Sequence, residues 1–227
     1  KHLQQKQKSL LESSNFYTPD GLNVYFQKPL INKKIDVEKV VGKIEDSIPS
    51  HLRSEIEMII FDVNQTMFSL SEIEKRFKEK KLNKTLVDFW FNSVLKEGFS
   101  YSLSGKFIDF KTIGSNELKK IFLKKNKKIK MQSINYIMDG FSELKVHKDI
   151  FNALKVLNRK KIKVITLTNG SIMNTNLLLK KNKIENLVDK CFSVDQFNIW
   201  KPHKDVYLNT CKIMKIKPDN SLMIAAH

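Results

Sequence analysis

The sequence predicts an α/β fold: a parallel sheet carrying an inserted all-helical block, preceded by an N-terminal extension. Three observations predict it. Short apolar runs end abruptly at polar residues, as in Ile59-Ile60-Phe61-Asp62 and Val164-Ile165-Thr166-Leu167-Thr168. Such runs read as buried strands of a parallel sheet. In the last third of the chain these runs alternate with segments of helical period, which predicts right-handed crossovers. Between the first run and the second lie about 70 residues with helical periods and no strand pattern.

Taken in order, residues 1–15 are polar and read as a helix or a frayed tail. Thr18-Pro19-Asp20-Gly21 is a turn signal, and Leu22 to Phe26 alternates as an edge strand would. Asp36 to Ile48 carries Val37, Val40, Val41, Ile44 and Ile48 at helical spacing, with Asp36 as N-cap. Ser50 to Glu57 reads as a short helix or linker. None of residues 1–55 carries visible chemistry, so this stretch is expected to be an extension unrelated to the rest of the chain.

Met58 to Phe61 is the central strand and ends at Asp62. Ser71 with Glu74 three positions on has the form of a capping box. Leu86, Phe89, Trp90, Val94 and Leu95 mark a helix over 84–97, and Gly98 is placed to stop it. Helices over 115–123 and 131–141 come next. The sheet then resumes, with strands over 162–167, 191–194 and 222–224 and helices over 148–157, 172–179 and 202–214. The resulting organisation is an extension (1–55), a core in two pieces (56–70 and 146–227) and a helical cap (71–145).

Composition narrows the function classes. The formal net charge is +17, from 41 Lys and Arg against 24 Asp and Glu. Only Arg53, Arg76 and Arg159 are arginines. Arginine is the residue that reads bases and grips phosphates in a fork, so a Lys-only surface argues against nucleic acid. No apolar run approaches the ~20 residues of a membrane span. Cys191 and Cys211 do not make a disulfide framework, and a reducing cytoplasm is the default setting.

Polar clusters sit at three strand ends: Asp62, Asn64 and Thr66; Thr168, Asn169 and Ser171; and Lys201 with Tyr207 six residues on. A parallel sheet gathers such loops along one edge, where open α/β sheets bind ligands. A carboxylate beside a lysine and neutral donors suits covalent catalysis: the carboxylate attacks, and the cation and donors stabilise charge. Plainer roles stand beside these. Thr66 would serve as a turn cap, Asn169-Gly170 as a tight turn and Tyr207 as a core aromatic.

These motifs resemble the haloacid dehalogenase superfamily. Phe61-Asp62-Val63-Asn64-Gln65-Thr66 is similar to its first motif, Thr168-Asn169-Gly170-Ser171 to its second and Lys201-Pro202 to its third. Thr168 follows Asp62 by 106 residues and Lys201 follows Thr168 by 33, spacings that match a cap inserted after the first strand. The subgroup most resembled is the type II 2-haloacid dehalogenases. The resemblance implies a Rossmann-like parallel sheet and a hydrolase acting on a small 2-substituted carboxylic acid. Asp62 would be the nucleophile that forms an ester. Thr66 would hold its carboxylate and Lys201 would neutralise charge beside it. Asn64, Thr168, Asn169 and Tyr207 would bind or orient the substrate.

Two positions depart from the family's pattern. Phosphatases of the superfamily carry an aspartate where this chain has Asn64, and dehalogenases carry a cap arginine where it has Phe91. Phe91, with Phe89 and Trp90, is read either as walling the pocket or as packing in the helical core. The resemblance implies no cofactor; Mg2+ enters only under the alternative of a phosphatase. A second alternative is a non-catalytic basic module using the lysine face at 119–130. A homodimer is admissible. The chain stops at Ala226-His227, before the family's fourth motif, so the core is expected to be incomplete there, with His227 facing the pocket.

Overall fold

The computed structural model describes residues 15–17, 23–26, 56–125 and 130–226. The helix expected over 36–48, the turn at 18–21, the middle of the lysine run and His227 lie outside the described residues.

One six-stranded sheet organises the chain. Its strands are β1 (Asn15–Tyr17), β2 (Asn23–Phe26), β3 (Met58–Phe61), β6 (Lys163–Thr168), β7 (Lys190–Ser193) and β8 (Ser221–Ala225). Their order across the sheet is β1-β2-β8-β3-β6-β7. β3 lies between β8 and β6, parallel to both; β6 and β7 are also parallel. The N-terminal segment contributes to this same sheet. β2 runs parallel to β8, and β1 runs antiparallel to β2. β2 falls within the run over 22–26 whose alternation reads as a strand, whereas the three residues of β1 are too few to carry such a pattern.

β3 is buried along its whole length. Its side chains alternate between two cores, because successive residues of a strand face opposite ways. Ile59 and Phe61 join the core shared with the cap, and Met58 and Ile60 join the core beneath α7 (Lys204–Met214) with Val206, Tyr207 and Cys211. Two further helices flank the sheet: α5 (Ile150–Arg159) and α6 (Ile172–Lys181). α6 starts at Ser171, whose Oγ accepts the Asn174 N–H at 3.1 Å.

The insertion is helical: α1 (Ser71–Glu79), α2 (Leu86–Leu103), α3 (Phe110–Lys124) and α4 (Met131–Asp139). Its entry and exit are joined by a pairing the sequence did not announce, β4 (Phe68–Ser69) with β5 (Lys145–Val146). Two-residue strands carry too little pattern to read. The capping box expected at Ser71 does not form. Ser71 is already the first helical residue, and its N–H is taken by Ser69 Oγ at 3.1 Å. α3 starts five residues earlier than its apolar period suggests, at an Asp109 cap that accepts the Thr112 N–H.

Gly98 does not stop α2. The helix passes through it and runs on to Leu103. A Cβ at this position would overlap the Trp200 indole, so glycine is there to let the cap helix lie against the core. Trp200 is fully buried and also stacks on Phe110, with ring centroids 6.2 Å apart. Its Nε1–H donates to the Ile108 carbonyl, and its backbone N–H donates to Ser102 Oγ. The cap is thus fixed to the segment that carries Lys201.

Among the described residues no helix is long and apolar enough to cross a membrane. Of the lysine run, Lys119 bonds Asn116 on the exposed surface of α3, and Lys120 pairs with the buried Glu117.

Candidate active site

The carboxyl ends of β3, β6 and β8 point toward the cap, and the cleft between them collects the polar clusters. Asp62 follows directly on β3 and is held at both oxygens. Lys201 Nζ donates to Asp62 Oδ1 at 2.7 Å, and Thr66 Oγ1 donates to Asp62 Oδ2 at 3.0 Å. The Lys201 side chain is 8% exposed and that of Asp62 14%. Taking a lone charge out of water to such a depth costs several kcal/mol, which the pairing offsets.

Each partner is itself anchored. Lys201 Nζ also donates to the Leu167 carbonyl at 2.6 Å, at the end of β6. Its backbone N–H donates to Asn169 Oδ1 at 2.9 Å. Thr66 Oγ1 accepts the Ala226 N–H at 2.9 Å. Asp62's own N–H donates to the Ile224 carbonyl of β8. A chain of bonds therefore ties the loops after β3, β6, β7 and β8 to one carboxylate. The turn that carries Thr66 includes Gln65 in the left-handed region, at φ 64°. Gln65 N–H closes it on the Phe68 carbonyl.

A cavity of about 790 Å³ opens over Asp62. Asn64, Asn169, Lys201 and Tyr207 line it from the core, and Phe91 and Phe110 line it from the cap. Among the described residues Asp62 is its only carboxylate. Tyr207 is buried, and burial followed by the nearby Asp62 charge pushes its phenol well above the ordinary range. It therefore stays a neutral donor at any physiological pH.

Thr168 is placed differently from the others. It is buried and lines a second cavity of about 560 Å³, on the far side of Asn64 and Phe110. Its Oγ1 accepts the Gly170 N–H at 2.9 Å. Asn64 lines both cavities. The fold thus brings Asp62, Thr66, Asn64, Asn169, Lys201, Tyr207 and Phe91 to one place, with Thr168 shaping the loop behind them. Four contributors lie outside the sequence motifs. Ser193, fully buried, donates its Oγ–H to the Gly170 carbonyl at 2.6 Å and so fixes the Thr168–Ser171 turn. Its only sequence signal is its place at a strand end. Leu95, Phe99 and Leu103 join Phe91 along one side of α2, a four-residue spacing that is legible in the sequence but hidden by ending the helix at Gly98.

A family model described as haloacid dehalogenase-like hydrolase matches residues 56–225. The chain belongs to this family. It is 22% identical over 142 residues to (S)-2-haloacid dehalogenase 1 of Pseudomonas sp. (strain CBS-3), covering 63% of each chain. Against haloacetate dehalogenase H-2 of Moraxella sp. (strain B) it is 23% identical over 156 residues, covering 67% of this chain and 69% of the relative. The chain thus spans a little under two thirds of the first of these relatives. The solved L-2-haloacid dehalogenase of Xanthobacter autotrophicus superposes with a TM-score of 0.67 at 19% identity, over 74% of this chain and 69% of that one. The haloacid dehalogenase-like fold is thereby established: the parallel sheet with the helical cap of this hydrolase family.

Proposed function

We propose that the protein hydrolyses a 2-halo carboxylic acid through an ester on Asp62. The observation that carries this reading is the Asp62 carboxylate, bonded at one oxygen by Lys201 and at the other by Thr66, facing a mostly apolar cavity. Both oxygens keep a free lone pair, since each can accept more than one bond. The lysine's ammonium lies against one carboxylate oxygen and leaves the other end of the group facing the cavity.

In the first step an Asp62 oxygen forms a bond to C2 of the substrate. The C2–halogen bond breaks, and the halide leaves with the bonding pair. In the second step water attacks the ester carbonyl carbon of Asp62. The C2 oxygen departs as the 2-hydroxy acid, the Asp62 carboxylate is restored and one proton passes to solvent. Lys201 stabilises the negative charge that develops on the ester oxygen in this second step. The amide nitrogen of Asn169 and the neutral Tyr207 phenol line the cavity and supply donors for the substrate carboxylate. Asn64 cannot exchange a proton at neutral pH and acts as a polar contact.

The test is halide release from 2-chloropropionate, by the wild-type chain and by Asp62→Asn. Release by the wild type and its loss in the variant is the expected result. In heavy-oxygen water, single turnover should place the label on Asp62 first, because the attacking water enters the ester carbonyl. Label appearing first in the 2-hydroxy acid would mean direct attack by water and would sink the ester mechanism.

A further inference from the structure

The cap side of the cleft is the part of the molecule whose chemistry the reaction does not use. Phe91, Leu95, Phe99 and Leu103 recur every fourth residue along α2 and all line the cavity over Asp62. Residues four apart on a helix lie on one face. At 1.5 Å per residue the stripe is about 18 Å long. Its inner end, Phe91, is buried; its outer end, Leu103, is 87% exposed. Met223 and Pro202 face it from the core. The result is an apolar trough that starts at the carboxylate and ends in solvent.

Size points the same way. A three-carbon halo acid has six heavy atoms and fills on the order of 180 Å³, at a water-like ~30 Å³ per atom. The cavity is about 790 Å³. Most of the trough would stay wet around so small a molecule. Leu103 in particular gains nothing from its exposure unless something covers it. The polar groups, by contrast, are confined to the Asp62 end, apart from Asn92, Lys96 and Ser100 along one border of the stripe.

We propose that the substrate carries a medium-length alkyl chain on C2, lying in the trough under α2 with its carboxylate at the Asp62 end. The inference rests on the dehalogenase reading for the reacting end and adds the class of the body. The apolar stripe holds the chain, and the exposed end at Leu103 sets where extra length stops helping.

Binding of unreactive straight-chain acids tests the body without the chemistry. Titration calorimetry with butanoate, octanoate, decanoate, dodecanoate and tetradecanoate, below their micelle concentrations, should show affinity rising about tenfold for each two methylenes until the chain reaches Leu103. Leu103→Glu, an exposed position, should abolish the gain from dodecanoate to tetradecanoate and leave the earlier steps. Halide release from the 2-bromo acids of the same lengths should follow the same order in kcat/KM. A ladder rising less than twofold from end to end, or one that Leu103→Glu leaves unchanged throughout, overturns the proposal. Release of halide from 2-chloropropionate together with a flat ladder overturns it and spares the dehalogenase reading. A rising ladder with no halide released from any acid supports the apolar body and overturns the dehalogenase reading alone.

Discussion

Gly98 of the cap helix lies directly against the indole of Trp200, the residue before Lys201. This contact couples the cap to the site, because Trp200 and Lys201 share a backbone that Asn169 also holds. Gly98→Ala must push the indole aside in a fully packed setting, and overpacking of this kind costs about 1–3 kcal/mol. Thermal unfolding should show a Tm several degrees lower, with halide release reduced further than the lost stability explains. An unchanged Tm would mean the cap can slide.

Lys201→Met leaves the buried Asp62 carboxyl without its cationic partner. Loss of one member of a buried pair costs roughly 3 kcal/mol or more. The double variant with Asp62→Asn should be less destabilised than the sum of the two singles by at least ~1 kcal/mol, as expected for groups in contact. Urea unfolding of the four proteins measures the coupling; strict additivity would mean the pair is not formed in solution.

Thr66→Val removes a donor to Asp62 and strands the Ala226 N–H, while keeping the side chain's shape. The expected cost is about 1–2 kcal/mol of stability, with halide release falling at least tenfold in kcat. Thr66→Ser, which keeps the hydroxyl, should restore most of both. If Ser fails where Thr works, the methyl group and not the hydroxyl is what matters.

Arg76 is buried inside the cap and donates to Glu72, to Glu143 and to the Tyr136 carbonyl. Gly140 leaves room for it: a Cβ there would come within 2.8 Å of Arg76 Cδ. Since Glu143 is half exposed, solvent weakens that arm of the network. Arg76→Met should therefore cost about 2 kcal/mol rather than the full cost of breaking a buried ion pair. Proteolysis confined to the cap, with the core still folded, is the readout that distinguishes a cap clasp from a general loss of stability.

Burial pushes both thiols, Cys191 and Cys211, above the ordinary range. The thiolate is the reactive form, so a raised value lowers the reactive fraction at neutral pH. Alkylation by iodoacetamide near neutral pH should be slower at both than for a free thiol, and should speed up as pH rises toward the shifted values. Peptide mass mapping resolves the two sites. A rate matching free cysteine at either one would contradict its packing.

The sequence by itself determined strands β3, β6, β7 and β8 of the sheet, the insertion and the neighbourhood of Asp62. Apolar runs that stop at Asp62 and Thr168 mark strand ends in a parallel sheet, and a parallel sheet must gather its loops on one edge. Those are local patterns joined by one topological rule. What tertiary structure alone decided lies in contacts between distant segments. A glycine reads as a helix stop until Trp200, about a hundred residues away, explains it as close approach. β4 and β5 are too short to carry a pattern and exist only because the insertion's two ends meet. Whether Thr168 faces the first cavity or the second depends on how the Gly170 turn folds back on it. The trough under α2 needed both the uninterrupted helix and the floor beneath it. Periodicity reports which side of an element is apolar; only packing decides whether that side is filled by core or left open above a carboxylate.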